Sequence, residues 1–303
     1  MVEKTAKIWL DGALVNWDEA HVHVLTHSLH YGLGAFEGIR CYPGGGVFRL
    51  RDHIDRLLAS CKMVLIDVPF TREHLMQACV EVLRANKLHE AYLRPLVFLG
   101  DGEMGVGSMS NPVRASIASW VWGKYLGRDG YDKGIRCRVS GFRRMSNHGF
   151  LAKGKICGQY VNSILAKREA LLGGFNESIM LDDDGYVAEA TGENIFIVKD
   201  GVIRTPPYGA PILGGITRDT VLRLARDEGI PVAEARFARD ELYTADEVFL
   251  TGTAAEITPV REVDHRVIGS GVPGPLTLRI RDLFMRVVGG EIRRYEEWLT
   301  PVK

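Results

Sequence analysis

Hydrophobic positions in the first 122 residues alternate between a period of two and a period of about 3.6. Period-two runs of β-branched and aromatic residues predict strands, and apolar residues three and four apart predict amphipathic helices. Strands are predicted over 38–42, 47–50, 91–99 and 115–122, and helices over 51–65 and 71–86. The dipeptide Asp11-Gly12 predicts a hairpin over 8–17, because it favours tight turns. The pattern indicates a sheet with helices on one side.

Residues 123–134 are rich in glycine, aspartate and tyrosine and show no periodicity, which is typical of a linker. Beyond them, strands are predicted over 136–139, 178–181, 195–198 and 247–250, and helices over 160–172, 217–228 and 239–243. We therefore expect a small N-terminal α/β domain over 1–124, an interdomain linker over 125–134 and a larger C-terminal domain over 135–303.

Charge and hydropathy argue against a nucleic-acid-binding, membrane-spanning or secreted protein. The 303 residues carry 38 basic and 38 acidic side chains, so the basic excess of a nucleic-acid-binding protein is missing. No uncharged apolar stretch reaches the length of a membrane span, and the N-terminus lacks the apolar core of a signal peptide. We expect a soluble, cytoplasmic protein without nucleic-acid or membrane partners.

Cysteines and acidic clusters argue against a disulfide framework or a metal site. The five cysteines are an odd number without Cys-x-x-Cys spacing: Cys41, Cys61, Cys79, Cys137 and Cys157. The run Asp182-Asp183-Asp184-Gly185 is interpreted as a hairpin turn, because Asp-Gly is a turn signal and no distant ligand accompanies it.

The run from Glu189 to Val198 joins a carboxylate, a glycine turn and an apolar strand. Glu189 is expected at the edge of a sheet, and Gly192 is expected to permit a backbone conformation that other residues resist. A buried carboxylate needs a cationic or hydrogen-bonded partner. The partner is either a protonated ring nitrogen of a cofactor or an arginine in a structural salt bridge. Glu193 is a weaker candidate for the same role.

The 189–198 run and six further motifs, ordered as in the family, resemble the fold type IV pyridoxal-phosphate enzymes, and the branched-chain amino acid aminotransferases in particular. The six are 30–40 (HYGLGAFEGIR), 92–96 (YLRPL), 102–106 (GEMGV), 155–163 (KICGQYVNS), 215–218 (GITR) and 252–256 (GTAAE). The resemblance implies a two-domain α+β fold like that of D-amino acid aminotransferase. A small α/β domain would precede a larger C-terminal α/β barrel-like domain.

The resemblance implies pyridoxal 5'-phosphate as the cofactor and Lys155 as the catalytic residue. Lys155 would form the Schiff base with the cofactor aldehyde and then move the substrate proton; the motif selects it over Lys153. Glu189 would pair with the pyridine nitrogen. The remaining cofactor contacts fall to Tyr160 at the phenolic oxygen, to Arg56, Ile216, Thr217 and Thr253 at the phosphate, and to Gly192 and Leu213. A helix N-terminus binds anions, and Thr217 is equally compatible with a plain N-cap.

The implied substrate pocket accepts both an apolar side chain and the side chain of glutamate. The apolar residues of this pocket would be Phe36, Trp122, Tyr125, Met104 and Val106, and Gly38 would also line it. Its carboxylate contacts would be Tyr31, Arg94, Tyr92, Thr253 and Ala254, with Arg40 orienting the tyrosines. Core packing is equally compatible with Phe36 and Trp122. In the family, Tyr31 and the 104–106 loop reach the neighbouring subunit's site, which implies a homodimer, alone or assembled into a hexamer.

We therefore expect transamination between L-leucine, L-isoleucine or L-valine and 2-oxoglutarate, which yields branched-chain 2-oxo acids and L-glutamate. Alternatives on the same fold are a D-amino acid or (R)-amine transaminase and an aminodeoxychorismate lyase. A non-catalytic relative of these enzymes is a third possibility. Residues 143–150 and 107–110 depart from the family pattern and bear on side-chain preference rather than on reaction type.

Overall fold

The computed structural model of this chain describes residues 2–302 and divides them into two compact units. The first unit contains residues 2–122, 154–159 and 286–302, and the second contains residues 123–153 and 160–285. In the described part of the chain, no helix is both long enough and apolar enough to span a membrane.

The strands and helices are numbered in chain order. The strands are β1 (Lys7–Leu10), β2 (Ala13–Asn16), β3 (Gly34–Phe36), β4 (Ile39–Tyr42), β5 (Gly46–Phe48), β6 (Ala91–Leu99), β7 (Val113–Trp120), β8 (Ile135–Val139), β9 (Glu177–Leu181), β10 (Val187–Ala190), β11 (Asn194–Lys199), β12 (Val202–Thr205), β13 (Val232–Glu234), β14 (Glu247–Gly252), β15 (Glu256–Val263), β16 (Arg266–Val267) and β17 (Leu299–Thr300). The α-helices are α1 (His27–Tyr31), α2 (Leu50–Met63), α3 (Arg72–Ala85), α4 (Arg128–Lys133), α5 (Tyr160–Leu172), α6 (Ile216–Asp227), α7 (Arg239–Tyr243) and α8 (Pro275–Val288).

The first unit is built on an eight-stranded sheet in the order β17-β5-β4-β6-β7-β1-β2, with β3 also paired to β6. The predicted hairpin is confirmed: β1 pairs antiparallel with β2, and Asp11 and Gly12 have φ of 49° and 100°. Such positive values at both central residues match a two-residue turn that follows the twist of the strands.

Helices α2 and α3 share one hydrophobic core with this sheet. The apolar stripe of α2 buries Ile54, Leu57 and Cys61 completely, as its helical spacing predicts. Helix α3 begins where predicted, because the Thr71 hydroxyl caps it by accepting a hydrogen bond from the His74 amide at 3.2 Å. The predicted helices and strands of this unit are confirmed to within a few residues.

The second unit is built on a nine-stranded sheet in the order β10-β9-β8-β15-β14-β11-β12-β13, with β16 added to β15. Opposite residues of β11 and β14, Phe196 and Phe249, stack with ring centroids 4.9 Å apart and planes 3° apart. Strand β10 is an edge of this sheet, and it carries Glu189. The predicted edge position of that carboxylate is confirmed.

Some elements differ from the sequence predictions. The helix that contains Tyr31 was not predicted: Tyr31, in the 30–40 motif, ends the short helix α1, since Gly32 follows with a left-handed φ of 71°. Helix α4 lies inside the stretch interpreted as a linker. Strand β15 was not predicted, because Pro259 lies in it, and proline is rare in a strand paired on both sides.

Candidate active site

The backbone around Lys155 is fixed by two neighbouring elements of the first unit. The Lys155 amide donates to the Ser60 hydroxyl of α2 at 2.9 Å, and its carbonyl accepts from the Phe36 amide at 3.1 Å. The side-chain nitrogen lies 4.9 Å from the centre of the Phe36 ring. Lys155 is therefore a held, partly buried amine rather than a solvated surface lysine.

Arg94 lies beside the same aromatic ring. Its guanidinium carbon is 4.9 Å from the centre of the Phe36 ring and 5.5 Å from that of Tyr92. Its Nε is buried without a hydrogen-bond partner, and across residues 2–302 no carboxylate lies within ion-pair distance of Arg94. A guanidinium in this state is suited to binding the carboxylate of a ligand.

Gly38, Tyr92 and Trp122 pack closely next to Arg94. A Cβ atom on residue 38 would overlap the Tyr92 hydroxyl, so only glycine fits there. Tyr92 and Trp122 meet edge to face with centroids 4.7 Å apart, and buried Arg40 donates to the Trp122 carbonyl at 3.0 Å. Phe36 and Trp122 are only half-buried, which favours a role in a pocket wall over core packing.

Arg56, expected at the phosphate, is held by a carboxylate that the sequence analysis missed. Its Nε and Nη2 lie 2.6 and 2.8 Å from the two oxygens of Glu37, which is fully buried, and His53 Nδ1 donates to the same carboxylate at 2.7 Å. Burial alone would raise the pKa of Glu37, but Arg56 and His53 hold it well below its usual range. Burial lowers the pKa of His53 and favours its neutral form.

In the second unit, Glu189 is buried and has three partners. Its Oε2 accepts from the Leu213 amide and from Asn194 Nδ2, each at 3.0 Å. Its Oε1 lies 2.6 Å from Arg144 Nε in an ion pair, but the Nε–H bond does not point at that oxygen. Burial raises the pKa of Glu189, while Arg144 and the Leu213 amide oppose that rise. The expected arginine partner is thus present, and Oε1 can still accept a hydrogen bond.

Glu193 has a less suitable environment than Glu189. Burial, reinforced by the nearby Glu177 carboxylate, raises the pKa of Glu193 to about 8. A carboxyl group that is mostly protonated at neutral pH is a poor counter-ion for a ring cation. The expectation for Gly192 is wrong, because its φ lies outside the left-handed region and its Cβ position is open space.

Helix α6 offers its N-terminus next to the Glu189 cluster. Its N-cap is Gly215, so the reading of Thr217 as the N-cap is wrong; Thr217 and Ile216 lie in the first turn and are buried. A Cβ atom on residue 215 would overlap Asn194 Oδ1, so glycine is required there. Backbone amides and the helix dipole make the first turn of a helix suited to binding a phosphate group.

Other predicted site residues of the second unit are spread over three elements. Thr253 and Ala254 lie in the loop between β14 and β15, and Tyr160 is the first residue of α5. Tyr125 is half-exposed, with Lys167 Nζ 5.7 Å from its ring centre. Their roles toward a ligand remain predictions.

Tyr31, Met104 and Val106 form an exposed surface of the first unit. Val106 is 91% exposed, and the other two are each more than 40% exposed. His27 links them, because its Nε2 donates to the Gly105 carbonyl at 2.9 Å and its ring lies 4.6 Å from that of Tyr31. Apolar side chains held together and exposed to solvent are typical of an interface.

The first unit thus contains a lysine with a fixed backbone, and the second contains a buried carboxylate and a helix N-terminus next to it; a phosphorylated pyridine cofactor uses groups of these kinds. The family model described as amino-transferase class IV matches residues 34–263. This chain belongs to that family, and the family and two-domain α+β fold expected from its motifs are confirmed.

Known relatives extend over the whole chain. A branched-chain-amino-acid aminotransferase from Pseudomonas aeruginosa is 46% identical over 306 residues, covering 100% of this chain and 99% of its own length. The crystal structure of the Escherichia coli branched-chain amino acid aminotransferase has a TM-score of 0.97 at 45% identity, covering 99% of this chain and 100% of its own. A branched-chain amino acid aminotransferase from T.th., solved with pyridoxamine 5'-phosphate, has a TM-score of 0.96 at 45% identity, covering 99% of each chain.

We expect Glu37→Gln to lower the free energy of unfolding by about 3 kcal/mol at pH 7, because it removes one member of a buried ion pair. The depressed pKa of Glu37 means that its contribution is complete above pH of about 4.5 and is lost as the pH falls below that value. Urea titrations at several pH values should show the gap between the proteins closing toward pH 3. A gap that stays constant with pH would contradict this account.

We expect Gly215→Ala to weaken cofactor retention about tenfold or more, because the added methyl group displaces Asn194 and disturbs its hydrogen bonds. Gly209→Ala is the matched control, since a Cβ atom there has open space. Dialysis of each holoprotein followed by measurement of the visible absorption band gives the retained fraction. Equal retention in both variants would show that Gly215 is not sterically required.

Proposed function

We propose that this protein is a pyridoxal-phosphate-dependent transaminase that moves the amino group of L-leucine, L-isoleucine or L-valine to 2-oxoglutarate. The products are the branched-chain 2-oxo acids and L-glutamate. The observation that carries the proposal is the Arg94 guanidinium, held between aromatic rings beside Lys155 without a carboxylate partner. The names of the full-length relatives support the same substrates.

The residues present fit the cofactor. Lys155 supplies the amine for its aldehyde, Glu189 has an oxygen open to its ring nitrogen, and the first turn of α6 has amides for its phosphate. The bound cofactor accepts the amino group and withdraws electrons from the substrate α-carbon. In this proposal Tyr160, Arg56 and Thr253 complete the binding set, and Glu37 orients Arg56.

Lys155 moves the proton in the proposed reaction. With the cofactor bound, the Lys155 Nζ would take the proton from the substrate α-carbon and hold it for its return. Such transfer by a positioned amine contributes about 10² to 10⁴ in rate. The two backbone hydrogen bonds that fix Lys155 keep this nitrogen near the Phe36 ring. Glu189 keeps the ring nitrogen protonated by its negative charge.

One pocket serves two kinds of side chain. Phe36, Tyr92 and Trp122 offer aromatic surface to the apolar chains of leucine, isoleucine and valine. Arg94 offers a guanidinium fork to the distal carboxylate of glutamate or 2-oxoglutarate. Because Gly38 has no side chain, the Tyr92 hydroxyl can occupy the space beside it, and this position places the Tyr92 ring in the pocket wall.

The proposed working form is a homodimer in the cytoplasm. The exposed surface of Tyr31, Met104 and Val106 would be covered by a second subunit and would complete that subunit's substrate pocket. All five cysteines carry free thiols, which suits a reducing compartment.

We expect L-leucine to bleach the visible absorption band of the purified holoprotein, because the amino group passes to the cofactor, and 2-oxoglutarate to restore the band. D-alanine and (R)-1-phenylethylamine should leave the band unchanged. Lys155→Ala should reduce the rate of bleaching at least about 10³-fold, since it removes the proton carrier. Lys133→Ala is the control, since Lys133 is an exposed surface residue.

Two outcomes would redirect the assignment. Bleaching only by D-alanine or the (R)-amine would identify a transaminase of opposite hand on the same fold. A protein that takes up no cofactor would point to a non-catalytic member of the family.

We expect mixed dimers to reveal the shared site. Tyr31→Ala and Lys155→Ala variants should each be inactive or strongly impaired alone. After mixing, unfolding and refolding together, a heterodimer contains one site with an intact Lys155 and a partner's intact Tyr31. Activity should therefore rise to about a quarter of the wild-type value, given random pairing and one good site in two. No gain on mixing would place Tyr31 in the site of its own subunit.

A further inference from the structure

Lys153, two residues before the catalytic candidate, has an unusual set of partners in the second unit. Its Nζ donates to the carbonyls of Ala210 and Ile212 at 2.7 and 2.9 Å, and it lies 4.5 Å from the centre of the Tyr208 ring. All three belong to the stretch 206–215, which connects β12 to α6 and is called here the connecting segment. One side chain thus joins three points of a segment without regular secondary structure.

The connecting segment carries two features of the proposed cofactor site. The Leu213 amide donates to Glu189, and the Leu213 carbonyl accepts from Asn194 Nδ2 at 2.9 Å. The segment then ends at Gly215, the N-cap of α6. A shift in its backbone would move a hydrogen-bond donor of the buried carboxylate and the start of the anion-binding helix together.

Two backbone hydrogen bonds and a small apolar cluster also hold the segment, since the Ala210 amide donates to the Pro207 carbonyl at 2.9 Å and the Ile212 amide donates to the Ala210 carbonyl at 2.7 Å. Ala210 and Ile212 are buried, but their core cluster contains only one further residue, Ala188 of β10. Asn147 adds one contact, donating to the Gly209 carbonyl at 3.1 Å. The carbonyls of residues 210 and 212 point at Lys153, and no other side chain of the described chain donates to them. An ammonium group suits this task, because it presents three donors from one flexible stem.

The Lys153 side chain is partly buried at the position where it contacts the connecting segment. Burial lowers the pKa of Lys153 to about 8, against the opposing effect of the Glu189 charge. Throughout residues 2–302, no carboxylate pairs with it directly, so the carbonyls and the Tyr208 ring are its compensation. Burying the charged amine costs solvation free energy, and the two carbonyl hydrogen bonds and the Tyr208 ring offset that cost.

We propose that Lys153 is a positioning residue, which fixes the connecting segment and through it the orientation of Glu189 and the first turn of α6. The predicted effect of Lys153 on cofactor binding rests on the proposed function. Its predicted effect on the connecting segment does not. Lys153 and Lys155 would then divide the work: one lysine reacts, and the other secures the backbone around the cofactor's ring nitrogen and phosphate.

The test compares Lys153→Met, Lys153→Arg and the surface control Lys133→Met in the full chain. Hydrogen exchange followed by mass spectrometry, without and with pyridoxal 5'-phosphate, reports on the amides of residue 210 and residues 212–217. In Lys153→Met these amides should exchange about tenfold faster, while β11 and β14 stay at wild-type rates. Lys153→Arg should restore much of the protection, because a guanidinium can donate to both carbonyls. The control should match wild type.

Cofactor binding provides the second measurement. The Kd for pyridoxal 5'-phosphate, measured by quenching of tryptophan fluorescence, should rise about tenfold in Lys153→Met and little in Lys153→Arg. The KM for L-leucine at saturating cofactor should stay near the wild-type value, since Lys153 touches none of the proposed pocket walls.

Three outcomes would overturn or separate the claims. Wild-type exchange and affinity in Lys153→Met would overturn the proposal. Faster exchange spread evenly over the whole second unit would also overturn it, since that result indicates general destabilisation. A wild-type chain that binds no cofactor would refute the proposed function, while exchange in the cofactor-free chain would still decide whether Lys153 fixes the segment. If Lys153→Met does not fold, Lys153→Gln replaces it.

Discussion

The burial of the Glu189 carboxylate is the constraint on which the second unit's part of the site depends. A charge in this position is costly unless it is paired and hydrogen-bonded. Strand β10 is a sheet edge and has no further strand to supply those partners. The chain supplies them from three separate places, and so brings two loops, which carry Arg144 and Leu213, and the start of β11 at Asn194 to one carboxylate.

Asn194 connects the buried Glu189 carboxylate with the start of helix α6. Its amide nitrogen donates both to Glu189 and to the Leu213 carbonyl, and its carbonyl oxygen lies against the backbone of Gly215. The absence of a side chain at residue 215 allows this approach. Because one amide side chain contacts both features, their separation is set by local geometry rather than by the distant folding of the chain.

The first unit also contains a buried carboxylate, Glu37, whose partners differ from those of Glu189. Glu37 is as buried as Glu189, but it has Arg56 and His53 as direct donors, so its pKa falls although burial alone would raise it. Glu193 shows the opposite case, because burial, reinforced by the nearby Glu177 carboxylate, raises its pKa to about 8. Burial acts to raise the pKa of all three carboxyl groups, and only at Glu37 do the neighbouring cationic groups outweigh it.

Local rules account for what the sequence could predict. Periodicity and turn residues predicted most helices and strands and the edge position of Glu189, and ordered motifs predicted the family, while the role of Lys155 stays a prediction. Contacts between distant residues could not be predicted in the same way. Neither the pairing of Glu37 with Arg56 nor that of Arg144 with Glu189 has a local signal, and β15 was hidden by Pro259. Lys153 was visible only as a rival to Lys155, since its partners lie more than fifty residues away.

In the proposed substrate pocket, the surroundings of Arg94 would allow both an apolar and an acidic side chain to bind. A buried guanidinium that relied on a substrate carboxylate would be left uncompensated whenever leucine or valine was bound. Here the Phe36 and Tyr92 faces lie 4.9 and 5.5 Å from its carbon, and such contacts are each worth about 0.5 to 2 kcal/mol. The rings therefore stabilise Arg94 when the substrate is apolar. A bidentate carboxylate adds a stronger interaction when the substrate is acidic. In this proposal, the aromatic rings that contact an aliphatic substrate also stabilise the Arg94 charge while that substrate is bound.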